Sequence, residues 1–182
     1  MTKLETLLSQ YAAYHLDHKN ILTHFVGIPL IVFSIICLTA RAGVMISGLE
    51  ITLALVIMAL SILYYLSLDR IFGFIMLLVF ALMYPLAHSI AQWGWVAWLS
   101  ASIGIFVVGW VFQFVGHFYE KKKPAFMDDV IGLAIGPLFV LAEMVFMLGF
   151  RKDMEHRMLQ EAHKQRALMD AKMVHSVSST SS

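Results

Sequence analysis

Residues 113–129 read QFVGHFYEKKKPAFMDD. The stretch joins the end of one long apolar run to the start of another. It carries Gln113, His117, Glu120, three consecutive lysines and Asp128 within a few positions. Polar groups at the edge of a hydrophobic slab form either a loop that sets topology or a reaction site. The number of apolar runs on each side of the stretch decides the fold, and it also decides which other polar groups can reach it.

The composition calls for a slab. The chain has 182 residues, 60% of them hydrophobic and 14% charged, with a mean hydropathy of +0.79. Soluble domains carry about 25% charged residues, and a water-soluble fold this small has no interior large enough for the excess. Membrane integration follows. A formal net charge of +1 lacks the basic excess of a nucleic-acid binder. Cys37 is the one cysteine, so no internal disulfide forms, and its place in an apolar run makes it a buried small residue. The N-terminus lacks the compact apolar core and cleavage site of a secretory signal, so the first run is expected to stay in the mature protein.

Upstream of 113–129 the apolar runs fall at about residues 25–40, 51–68, 71–91 and 95–115, and a fifth follows at 130–150. The expected fold is all-α: a polytopic membrane helix bundle of four to five apolar spans. An amphipathic N-terminal helix over residues 2–18 precedes it, with Thr2 and Glu5 placed as a capping box. Residues 151–175 mix both charge signs and read as a C-terminal surface helix, and 176–182 as a disordered serine-rich tail. The membrane-embedded domain is then 1–150. Residues 41–50 read as a polar connection, and no segment reads as a strand. Trp93, Trp95 and Trp98 cluster as an interfacial belt.

Counting crossings has a chemical consequence. Four runs lie between the histidines of YHLDHKNILTH, residues 14–24, and His117, so both groups share one membrane face. His88 sits at the far end of the third run. Histidine is the commonest metal ligand and is costly beside hydrocarbon unless paired. In one continuous helix His15 and His24 would point to opposite faces, since nine steps of about 100° make two and a half turns. A helix break near residues 17–20 lets them converge. With His117 they make a set of three nitrogens, to which Glu120 or Asp128 can add a carboxylate. Such a set without thiolate suits Fe(II), Zn or Mn. The plain alternatives are hydrogen-bonded surface histidines (the reading for His18, His156, His163 and His175) and lysines that set topology or touch lipid phosphates. Basic residues at 121–123 place this face in the cytoplasm. The tail, basic at Arg151 and Lys152, shares that face only if the fifth run is broken or re-entrant near Gly136-Pro137.

Two motifs also carry a resemblance. Gln113-Phe114-Val115-Gly116-His117, then Glu120 through Ala125 and Asp128, then Pro137, Glu143 and Leu148-Gly149-Phe150, resemble the signature of the membrane family of the fungal 2-hydroxy fatty acid dioxygenase. Tyr14-His15, Lys19-Asn20 and His24 resemble its N-terminal part. The similarity spans about residues 8–152, with the second and third runs alike only in apolar character. Its fungal member works in phytosphingosine breakdown at the endoplasmic reticulum. The resemblance implies an Fe(II)-dependent oxygenase that uses O2 to cleave a 2-hydroxy fatty acid to a fatty acid one carbon shorter. It implies His15, His24 and His117 as metal ligands, and Gln113, Glu120 and Asp128 as catalytic or supporting groups. It implies Lys121, Lys122 and Asn20 at the substrate. The family's basic pair stands here as lysines, so a bidentate arginine grip is absent. The expected partners are the fatty acid, O2 and the bilayer, and a bacterial inner membrane fits the short termini. Rival readings are another lipid-modifying metalloenzyme and a non-enzymatic lipid-binding or transport protein.

Overall fold

The computed structural model describes residues 1–122 and 131–180, the side chains of 173–180 excepted. Among the described residues there are seven helices and one two-stranded hairpin. In chain order they are α1 (Lys3–Ala12), α2 (His18–Thr39), β1 (Gly43–Ile46), β2 (Leu49–Thr52), α3 (Leu53–Leu68), α4 (Arg70–Ala91), α5 (Trp95–Glu120), α6 (Ile131–Met147) and α7 (Lys152–Thr180).

Three helices, α2, α4 and α5, are long and apolar enough to cross a membrane, and α3 and α6 are shorter apolar helices. At 1.5 Å per residue, the 22 residues of α2 and α4 reach about 33 Å and the 26 of α5 about 39 Å. A hydrocarbon core is about 30 Å thick, so α5 carries His117 and Glu120 to the interface rather than into the slab. The outward faces are apolar, with Leu82 on α4 and Phe114 on α5 well exposed. In water such a surface would drive association. Against lipid it is the expected exterior.

Helix α2 is the hub, packing on α3, α4, α5 and α6. Its most extensive interface is with α5, and glycines make it close. A Cβ on Gly27 would stand 2.8 Å from the Gly109 carbonyl oxygen, and one on Gly109 2.9 Å from that of Gly27. One on Gly116 would collide with the Thr23 and Asn20 side chains. Small residues letting two backbones approach is the usual way membrane helices associate, since lipid offers no hydrophobic drive.

The sequence reading missed the hairpin at Gly43–Ile46 and Leu49–Thr52. The polar connection expected at 41–50 is instead an antiparallel ladder pairing Gly43 with Thr52 and Ile46 with Leu49. Ser47 and Gly48, at φ 52° and 84°, form the two-residue turn. Turns with both central residues at positive φ match the twist of paired strands. The strands are short and exposed, so their alternation gives little signal.

The bundle has two polar ends. One carries Arg41, whose Nη1 donates to the carbonyls of Ala91 (2.9 Å) and Trp93 (2.8 Å), with the hairpin, His88 and Trp98 beside it. The other carries α1, the start of α2, Asp69, the end of α5, and α7. Arg151, just after α6, pairs with Asp69 at 2.7 Å, and Arg157 on α7 pairs with Glu5 on α1. Residues on both sides of α6 therefore lie at the same end, as a re-entrant fifth segment requires. The helix runs unbroken through Pro137. The final helix continues past residue 175 to Thr180, where composition reads as a disordered tail. Cys37 is buried, as expected.

Candidate metal centre

The site begins with a cap. Thr2 accepts from Glu5 N while the Glu5 carboxylate accepts from Thr2 N at 2.8 Å, the reciprocal capping box. That starts α1, whose Leu4, Leu8, Tyr11 and Ala12 are buried. Burying a leucine-sized side chain is worth about 1.5–3 kcal/mol, so α1 is seated firmly before the chain turns. The helix ends at Ala12, and Asp17 opens α2 by accepting from the Lys19 and Asn20 amides. The break between them, at residues 13–17, is slightly earlier than the sequence suggests. Because of it, His15 and His24 do not share one helix axis.

Three rings meet there. His15 and His24 have centroids 4.5 Å apart, His15 and His117 5.0 Å, and His24 and His117 5.2 Å. All three residues are buried, and one ligand nitrogen from each lies within 4.8 Å of the others. Their polar atoms are divided in a telling way. His15 Nδ1 donates to the Tyr11 carbonyl at 2.7 Å, and His24 Nδ1 to the Asn20 carbonyl at 2.8 Å. Those bonds set the tautomer and leave Nε2 with a bare lone pair. His15 Nε2, His24 Nε2 and His117 Nδ1 are buried without any hydrogen-bond partner. The His117 ring makes its other hydrogen bond with the Lys122 backbone.

Buried polar atoms are nearly always paired, so three orphans facing one point call for a ligand. A metal ion fits. Nitrogens about 2.1 Å from one ion at tetrahedral angles lie about 3.4 Å apart, so the widest pair, within 4.8 Å, would draw in by up to about 1.4 Å, within reach of small ring movements. Ligating histidines typically donate their other N–H to a carbonyl or carboxylate, as His15 and His24 do. Burial above all, with the neighbouring His24 ring, holds His15 well below the usual histidine range. It is neutral at physiological pH, the form that binds metal.

Around the rings lies a packed shell. Tyr11 stacks on His15 with centroids 4.2 Å apart and planes 6° from parallel. Phe139 of α6 packs on both. Glu120 is buried, and its carboxylate is shared among several donors. Oε2 accepts from Asp17 N at 2.8 Å and Asn20 Nδ2 at 3.1 Å, and Oε1 from Arg166 Nη1 at 2.7 Å. Arg166 also donates to the Ala13 carbonyl at 2.9 Å. The Asn20 side chain ties to Glu120 while its carbonyl orients His24, so α7, α5 and α2 are linked through one chain of bonds to a ring.

Of the residues singled out from sequence, His15, His24, His117, Gln113, Glu120 and Asn20 gather at this end. Gln113 is buried one turn before His117, and its Nε2 has no partner. Lys122 pairs with Asp170 of α7, and Lys121 is exposed, ending α5 in a left-handed conformation. Asp128 and Lys123 lie outside the described residues. His88 is at the opposite end, 3.8 Å from Glu50. Glu143 is half-buried, with Lys152 and Glu155 as its nearest charges. Sequence reasoning missed Tyr11 and Arg166 at the site, and it marked Asp17 only as the start of a helix break. The four-residue spacing of Tyr11 and His15 was a usable signal. Nothing in the mixed charges of residues 151–175 marked Arg166.

Residues 1–148 match the Mpo1-like family, described as 2-hydroxy-palmitic acid dioxygenase Mpo1-like. The chain belongs to that family. It is also 32% identical over 150 residues to the 2-hydroxy-palmitic acid dioxygenase MPO1 of Saccharomyces cerevisiae, covering 81% of this chain and 82% of that protein. No solved structure matches it. The family is one of oxidoreductases, and its matched region contains all three histidines while excluding α7.

Proposed function

We propose that this chain is an Fe(II)-dependent dioxygenase that converts a 2-hydroxy fatty acid to a fatty acid one carbon shorter. The observation that carries the reading is the convergence of three unpartnered, buried imidazole nitrogens in a member of the Mpo1-like family. Iron held by three neutral imidazoles supplies the redox chemistry toward O2 that breaking a carbon–carbon bond needs.

The protein's own groups do the rest. His15, His24 and His117 hold the ion, and their carbonyl partners fix the ring planes. Gln113 offers an unused amide N–H beside His117, suited to a carboxylate or 2-hydroxyl oxygen of the substrate. Glu120 has its oxygens committed to donors, so it works by positioning Asn20 and the α1–α2 joint. Asp128 belongs to the same expected supporting set. Lys121 and Lys122, at the end of α5 just past His117, add positive charge that would draw in a fatty carboxylate, with Lys122 already engaged by Asp170. Tyr11 and Phe139 close the rings off from water. With Lys121, Lys122, Arg151 and Lys152 at it, this end faces the cytoplasm, in a bacterial inner membrane.

The test is direct. Purified protein is analysed for metal and then given 2-hydroxypalmitic acid under O2, with products read by mass. Expected are near-stoichiometric iron and the C15 acid. Zinc in place of iron, or no chain-shortened product from the iron-loaded protein, would sink the reading. Zinc with hydrolysis of a lipid ester would favour the metalloenzyme alternative, since three histidines also suit zinc.

A further inference from the structure

A cavity of about 250 Å³ lies between α2, α5 and α6. Its inner end is lined by Tyr11, Gln113 and His117, so it opens directly on the metal centre. Its walls are apolar, with Ile28 and Val32 from α2 and Trp110 from α5. Gly132 and Gly136 of α6 leave the floor without side chains. Polar groups occur at one end only. At the other end Ile35 and Leu133 are 38% and 52% exposed on the surface that faces lipid. From His24 to Ile35 is eleven residues of helix, about 16 Å at 1.5 Å each. That is close to half the roughly 30 Å hydrocarbon core.

We propose that this groove seats the head-proximal part of the substrate's acyl chain, taken in sideways from the bilayer, with the far end of the chain left in lipid. The proposal rests on the function proposed above and adds where the chain lies and what it is measured against. A ligand with a polar head and a straight apolar tail matches a groove with donors at one end and lipid at the other. The volume is below the roughly 300–1,000 Å³ of sites that enclose a drug-sized ligand, so a long chain is held in part.

The energetics give the groove a particular selectivity. A methylene moved from water into oil gains about 0.8 kcal/mol, but one moved from bilayer into this groove was already in oil. The walls therefore align the chain rather than capture it. Activity should rise with chain length until the groove is filled and then stay level, with no upper cut-off. Bulk placed mid-groove should matter far more than bulk at the outer rim.

Trp110 is a built-in reporter, because the other three tryptophans (93, 95 and 98) lie toward the opposite end of the bundle. The experiment uses the full chain in lipid nanodiscs, titrated with fatty acids brominated near the carboxyl, at mid-chain or at the methyl end. Bromine quenches indole fluorescence only at close range. Saturable quenching is expected, strongest for mid-chain bromine, displaced by unbrominated 2-hydroxypalmitic acid, and lost in Trp110→Phe. Val32→Phe should abolish the displaceable part and lower kcat/KM on long acids about tenfold with metal content unchanged. Ile35→Phe should change both much less.

Quenching that does not saturate, or that brominated phosphatidylcholine reproduces and the 2-hydroxy acid does not displace, would make the groove a seat for bilayer lipid and overturn the proposal. So would a sharp upper limit of chain length, or Val32→Phe and Ile35→Phe acting alike. Saturable, displaceable quenching with no chain-shortened product would leave the groove standing and reject the proposed reaction instead.

Discussion

The two ends of the bundle each hold a histidine, a carboxylate, an arginine and aromatic rings, yet among the described residues only one gathers three unpartnered ring nitrogens within 4.8 Å of one another. At the Arg41 end, the guanidinium lies over Trp98 at 4.8 Å and donates to helix-terminal carbonyls. Trp98 Nε1 donates to the Cys37 carbonyl at 2.9 Å. His88 reaches Gln92 and Glu50 with much of its surface open. These bonds close helix ends and the hairpin, and they leave one isolated ring nitrogen, His88 Nδ1, buried without a partner. At the His117 end the arginine and glutamate are satisfied too, but three ring nitrogens are left facing one another without partners. Residue type alone does not separate a structural polar cluster from a chemical one. The convergence of several leftover valences on one place does.

The largest effect expected from this contrast is on metal content. Replacing His15, His24 or His117 with Ala removes one of three ligands, and bound metal and product formation should both fall to background. His88→Ala should leave metal stoichiometry as it is. Elemental analysis of the four purified variants reads this out, and a His88 variant that loses metal would collapse the distinction between the ends.

Next in size is the spacing of α2 against α5. Gly109 meets the Gly27 carbonyl so closely that even a methyl must push the helices apart, while a Cβ at Gly94, near the other end, meets nothing within 4 Å. Overpacking a tight contact costs about 1–3 kcal/mol, here at the interface that aligns His24 with His117. Gly109→Leu should lower melting temperature and metal occupancy together. Gly94→Ala should alter neither, as thermal unfolding in detergent with metal analysis would show.

The same contrast explains how far the sequence could be read. Apolar runs and their parity were legible because a bilayer imposes length and hydropathy directly, and parity alone put His15, His24 and His117 on one face. The helix break near Asp17 was legible because a polar stretch, residues 17–20, interrupts the pattern there, and Asp17 proves to be the cap that opens α2. Arg166 was not, because its role depends on α7 folding back onto α1, and an arginine among mixed charges carries no mark of its partner. The hairpin was not, because Val44, Met45 and Leu49 are exposed on strands of four residues and show no inside–outside alternation. The groove beside Trp110 escaped too, since its walls are ordinary apolar residues and only packing reveals the space between them.

A smaller effect belongs to the bonds behind the rings. Glu120→Gln keeps the shape but removes the charge facing Arg166, and Arg166→Ala leaves a buried carboxylate without its cation. Removing partners behind metal ligands commonly costs about 10- to 100-fold in metal affinity. A chelator titration should show that range for both variants, larger for Arg166→Ala. Arg41→Ala at the other end should lower thermal stability while the chelator curve stays in place. Arg166 lies outside the stretch matched to the family, so its contribution would belong to this chain's own C-terminal helix.

The smallest effect is a pH dependence of the α1–α7 contact. Burial of Glu5 opposes its ionisation, but hydrogen bonds from Arg157 and the Thr2 amide, and the charge of Arg157, outweigh it and hold the carboxyl below its usual range. Arg157 donates to Oε1 through Nε at 3.0 Å and Nη2 at 2.5 Å. A carboxyl whose folded value is depressed contributes stability that is complete above its unfolded value. That contribution is lost as pH falls through the folded one. The stability difference between wild type and Arg157→Gln should therefore be constant above about pH 5 and shrink toward zero in stronger acid. Arg157 is half exposed, so the difference itself should be small, about 1 kcal/mol or less. Protease release of the C-terminal helix, followed across pH for both proteins, reads it. No difference at any pH would mean that α7 is held against α1 by its buried apolar face, with the ion pair contributing nothing.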